Sequence, residues 1–95
     1  MSTITAFKES TAADKPPQDA SVYLQALWYD AKGDWEKAHT LIQDLEDKDA
    51  AWIHAYLHRK EGDNGNADYW YRRAGKNRSL MSLENEWEEI VSALI

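Results

Sequence analysis

The chain has 95 residues, a net charge of -6 and no cysteine. The absence of thiols excludes disulfides and thiolate metal sites and fits a reducing, cytoplasmic compartment, while an acidic whole repels phosphates and argues against a nucleic-acid partner. No run reaches the roughly 18 apolar residues of a membrane span, and Met1 to Lys15 lacks a signal-peptide core, so a membrane is not an expected partner either.

Charge is unevenly spread: 19–49 carries -5, 50–78 carries +3 and 79–95 carries -4. The basic middle is placed to pair with its own acidic neighbours. Five Trp and five Tyr promise large buried surfaces in a chain with a thin margin for a core.

Met1 to Gln18 is small and polar, ends in Pro16-Pro17, and beyond Met1 holds only Ile4 and Phe7 as large apolar residues. It is expected to be a disordered N-terminal arm (1–18) ahead of a helical domain (19–95). After the prolines, Asp19 or Ser21 can cap a helix to about Lys32. Ala20, Tyr23, Leu24, Leu27, Trp28 and Ala31 share one of its faces, and Val22, Ala26 and Tyr29 form a second apolar stripe. A helix apolar on two sides must be sandwiched. Gly33 supplies a left-handed residue past the helix end and Asp34 can cap the next helix at once, forcing a tight antiparallel return. Trp35, Ala38, Leu41, Ile42 and Leu45 then complete a first helical hairpin over 19–46.

Glu46 to Asp49 reads as a connector, with Asp49 expected to cap a helix from Ala50 to Glu61 that carries Trp52, Ile53, Tyr56 and Leu57. Gly62-Asp63 reproduces Gly33-Asp34, and Ala67, Trp70, Tyr71 and Ala74 lead to Gly75, a second hairpin over 49–75. Asn64-Gly65-Asn66 is a poor first turn, so that helix can start as late as Asn66. Ser79 or Ser82 can cap a last helix within 79–94, whose Leu80, Leu83, Trp87, Ile90, Val91 and Leu94 face away from Glu84, Glu88 and Glu89. A lone amphipathic helix after two hairpins is the arrangement of a capping element.

A shift of 29 residues aligns Gly33 with Gly62, Asp34 with Asp63, Ala38 with Ala67 and Ala26 with Ala55. Each identity has a mechanical reason: Gly to turn, Asp to cap, Ala where helices approach closely. With helix, Gly-Asp turn, aromatic and Ala at these offsets, 20–75 resembles the tetratricopeptide repeat (TPR), although the period is 29 where that family has about 34. The chain also resembles a group of small bacterial proteins sharing an AWIHAYLHRKEGD-like run. The resemblance implies an all-α fold of two right-handedly stacked antiparallel hairpins plus a capping helix.

It further implies that the first helix of each hairpin lines a concave surface, which maps here onto Tyr23, Leu27, Asp30, Trp52, Tyr56, Arg59 and Lys60. Aromatics beside basic groups suit a peptide with an acidic side chain or a free carboxylate. The competing expectation is that the last helix or another subunit covers those aromatics, because so small a domain can rarely leave that much ring surface in water.

His54 and His58 stand four apart on one helical face, a spacing that can chelate a metal. The zinc-protease pattern needs a glutamate directly after the first histidine, where this chain has Ala55. His39 or Glu61 becomes a third ligand only if folding brings it near. Arg72, Arg73, Lys76 and Arg78 form a basic cluster at a helix C-terminus, favourable in itself. No glycine-rich phosphate loop, nucleophile elbow or paired-acid motif is visible, so no catalytic, cofactor or metal residue is assigned. The sequence points to a non-catalytic module that binds a protein or peptide through the first-helix surface. The alternatives are a small metal-dependent enzyme using His54 and His58, and a structural subunit of a larger assembly. Two repeats fall short of the about three needed for an independent array, so a symmetric homodimer is expected as well.

Overall fold

Side-chain caps set every helix start. In the computed structural model, which describes residues 3–95, Thr3, Ser21, Asp34, Asp47, Asp63 and Ser82 each accept a bond from the backbone N–H three residues on. They open α1 (Ile4–Ser10), α2 (Val22–Ala31), α3 (Trp35–Ile42), α4 (Lys48–Lys60), α5 (Asn64–Arg73) and α6 (Leu83–Leu94). Each such cap is worth about 1 kcal/mol. Among the described residues there is no strand, and no helix is long and apolar enough to cross a membrane.

The Gly-Asp turns are built alike. Gly33 and Gly62 both sit at φ +85°, and the N–H groups of Gly33 and Asp34 return to the carbonyls of Asp30 and Tyr29, as those of Gly62 and Asp63 return to Arg59 and His58. This satisfies the open carbonyls of the ending helix while the aspartate already caps the next. Three residues, 32–34 and 61–63, link the helices at each turn, and α2 packs on α3 as α4 packs on α5.

At the centre lies α4, which also touches α2, α3 and α6. Every residue from Ala50 to His58 is buried, so its surroundings are protein on all sides. Indole N–H groups tie the elements together: Trp28 donates to the Ser10 carbonyl (3.0 Å), Trp35 to that of Leu57 (2.8 Å) and Trp87 to that of Leu27 (3.0 Å).

Three sequence expectations are corrected here. The arm expected to be disordered over 1–18 holds α1 instead, apart from residues 1 and 2, which lie outside the described residues. Phe7 is fully buried and stacks on Trp87 at 5.9 Å, Lys8 pairs with Glu88 at 3.1 Å, and the Lys32 ammonium donates to the carbonyls of Thr11 and Ala13. Few apolar residues suffice because Trp28 and Trp87 supply the surface they pack against. Second, Asp47 rather than Asp49 caps α4, which starts two residues earlier than expected, at Lys48. Third, Leu80, expected on the apolar stripe of the last helix, falls in the preceding link and is 99% exposed, because Ser82, the later of the two serines offered, caps α6.

Candidate functional site

Of the residues expected on a concave first-helix surface, Leu27, Asp30, Trp52 and Tyr56 are buried, Tyr23 and Arg59 are half-buried and Lys60 is exposed. Of the two expectations for these aromatics, cover by the last helix is the one seen: α6 lies against both α2 and α4, and its own apolar stripe needed the cover as much as theirs did. Trp87 from α6 sits beside Leu27, and Glu86, 1% exposed, reaches the aromatic and basic groups of α4 and α5.

Glu86 is where the chemistry concentrates. One carboxylate oxygen accepts from the Trp52 indole N–H (3.2 Å), the other from Arg59 Nη1 (2.9 Å), and the Tyr71 hydroxyl lies 2.8 and 2.7 Å from the two. Arg59 also donates through Nη2 to the Met81 carbonyl in the link before α6. A buried carboxylate is costly unless charge and hydrogen bonds replace its water, and here three side chains do so. Burial, then the bond to Glu86, pushes the Tyr71 phenol well above the usual tyrosine range, so it stays a donor.

Sequence reasoning had placed an acid-receiving set on this face and had not named its occupant. The signal was available: Glu86 lies three residues from Leu83 and four from Ile90, on the inward stripe, unlike Glu84, Glu88 and Glu89. A second buried acid, Asp30, accepts from the Tyr56 hydroxyl (2.8 Å) and pairs with Lys60 (2.9 Å). Burial and the Asp30 charge push the Tyr56 phenol upward in the same way.

On the other side of α4, folding brings together the histidines that the sequence left apart. His39 from α3 meets His54 with their Nε2 atoms 3.0 Å apart, and one ring nitrogen from each of His39, His54 and His58 lies within 4.8 Å of the others. Trp35 stacks on His39 (4.8 Å, 9°) and Trp70 on His54 (3.9 Å, 18°). His58 Nδ1 donates to Glu61 at 2.7 Å. Burial first, and the neighbouring imidazoles second, push His54 down to about 3, so its ring is neutral near pH 7. Burial lowers His39 as well.

At the end of α5, Arg72, Lys76 and Arg78 line one pocket with Asp68 and Tyr71. Arg73 lies over the Trp70 ring (5.0 Å), Lys76 over Trp52 (4.0 Å), and Arg78 pairs with Asp68 (2.8 Å). No protein-family model, no curated protein and no solved structure matches the chain.

Proposed function

We propose that the chain is a non-catalytic, TPR-like interaction module of two antiparallel helical hairpins and a capping helix, whose first-helix face receives a carboxylate borne on an amphipathic helix. α6 is the helix it holds at rest, and a protein partner with an acid at the equivalent position competes for the same donors. The reception of Glu86 by Trp52, Arg59 and Tyr71 carries this reading, because an acid on a neighbouring helix is met there by three donors. The link over 74–82 contains no helix, so α6 is joined to α5 by a segment that other helix placements could accommodate.

The test uses a labelled peptide of residues 79–95 added to the intact chain and to its Glu86→Gln variant. A resident helix is backed by an effective concentration in the millimolar range, so the wild-type chain should take up peptide poorly. Weakening the resident contact should raise peptide affinity by about tenfold or more, the equivalent of one charge-assisted bond. Equal affinity for both chains would remove the proposal.

A further inference from the structure

A carboxylate cleft makes no use of the three histidines on the opposite side of α4. We propose that His39, His54 and His58 form a binding site for a divalent transition metal of the zinc type, which would clamp α3 to α4.

A tetrahedral zinc with bonds of about 2.0–2.1 Å to nitrogen holds its donors about 3.3 Å apart. The three ring nitrogens already fall within 4.8 Å, with one pair at 3.0 Å, so closure onto an ion needs side-chain adjustments of about an ångström. His54 and His58 come from successive turns of one helix, and His39 enters from the facing helix, which fixes the three directions of approach.

The rings are also supported from behind. A carboxylate only accepts, so the His58 Nδ1 bonded to Glu61 carries a proton, which leaves Nε2 as the ring atom to offer a metal. Such a carboxylate behind a histidine orients metal-ligating rings and raises their basicity. Trp35 and Trp70, flat against His39 and His54, restrict the other rings. Packing alone would be served by apolar side chains at these positions, whereas three imidazoles, two of them buried and His39 half-buried, gather ring nitrogens at one point where a shared cation would engage them. Nitrogen donors without thiolate favour zinc, copper or nickel over softer or harder ions. Three protein ligands leave the last tetrahedral position to water.

The full chain, stripped with chelator, is titrated with zinc and separately with cobalt(II). Expected are one ion per chain, a rise in melting temperature, a change in tryptophan fluorescence from the two stacked indoles, and a tetrahedral cobalt absorption. His39→Phe keeps a flat ring against Trp35 but no nitrogen; it should retain the helical spectrum and lose affinity by at least about 100-fold, the upper end of the cost of losing a mere outer partner. Glu61→Gln should lose about 10-fold to 100-fold. The proposal is overturned by wild-type binding only above about 1 mM, by an octahedral cobalt spectrum, or by affinity unchanged in His39→Phe. It is equally overturned if Glu61→Gln with Asp63→Asn abolishes binding that His39→Phe leaves intact. The ion would then sit on the surface group of His58, Glu61 and Asp63, whose ligand atoms also lie within 4.8 Å of one another.

Discussion

The hydroxyl of Tyr71 on α5 lies 2.8 and 2.7 Å from the two carboxylate oxygens of Glu86 on α6, across 15 residues of sequence. It joins the last helix to the helix before it at a point where both side chains are almost fully buried. Stability at that point is therefore a matter of leaving no donor or acceptor behind.

Tyr71→Phe removes one donor and leaves a buried carboxylate with Trp52 and Arg59 alone. The expected loss is about 1.5–3 kcal/mol. Glu86→Ala strands the Arg59 guanidinium, the Trp52 N–H and the Tyr71 hydroxyl together, and the expected loss is about 3–5 kcal/mol. Urea unfolding followed by far-ultraviolet dichroism measures both. A Glu86→Ala variant as stable as the parent would show that the carboxylate network does not hold α6 in place.

Alkaline pH gives an independent reading of the two buried phenols. Tyr56 and Tyr71 are raised in the folded chain by burial, with Asp30 and Glu86 adding to it. In the unfolded chain a tyrosine titrates near pH 10. A folded value above the unfolded one contributes stability that is complete below about pH 10 and drains away as pH rises toward the folded value. The two together should cost up to about 2.7 kcal/mol per pH unit in that window. Tyrosinate absorbance followed beside the urea midpoint should show two phenols ionising only as the fold is lost. Complete ionisation of all five tyrosines in a still-folded chain would contradict the burial described.

Phe7 tests the N-terminal helix. If α1 is part of the packed structure, Phe7→Ala opens a cavity under Trp87 and should cost up to about 3–5 kcal/mol, at the lower end if α1 simply detaches. Removing a side chain from a disordered arm would cost nothing measurable. The midpoint of guanidinium unfolding distinguishes the two, and protease cleavage near Lys8 should accelerate in the variant.

At the turns, nothing lies within 4 Å of a Cβ built on Gly33 or Gly62. A Gly→Ala change there meets no neighbour, and its whole effect is the left-handed backbone at φ +85°. Each substitution should cost about 1–2 kcal/mol, and Asn in place of Ala should recover part of it because its side chain tolerates that region. Thermal melts of the four variants measure this, and an Ala variant matching wild type would mean that the turn has relaxed to another shape.

These turns were legible in the sequence because Gly followed by Asp states both the end of one helix and the beginning of the next. Asp34 and Asp63 stand out as caps because each follows a turn glycine, while Ser21 and Ser82 are each one of two candidates, beside Asp19 and Ser79, ahead of apolar periodicity. Asp47 lost to Asp49 in the reading because both precede the same run; spacing cannot separate them when either can reach a backbone N–H three residues on. The helix at Ile4–Ser10 was hidden for a different reason. Its stability comes from Trp28 and Trp87, which are 18 or more residues away, and composition within the segment says nothing of them.

The candidate site divides along the same line. The donors Trp52 and Arg59 stand out from their place on α4, but whether that surface is open or covered stays undecided in the sequence, because an amphipathic helix does not announce which groove it will fill. His39 was a conditional partner of His54 and His58, and only the approach of α3 to α4 meets the condition. No spacing along the chain encodes a contact between side chains 15 residues apart on different helices.

The four indole N–H bonds, from Trp28, Trp35, Trp52 and Trp87, bear on how the protein could drift in sequence. Oily side chains can slide past one another and still be sheltered; a ring that must point its single hydrogen at a chosen oxygen cannot. Each of these rings acts as a dowel between timbers, so that phenylalanine would fill the hole and lose the alignment. A fold this small keeps its helices in one register by direction as much as by bulk.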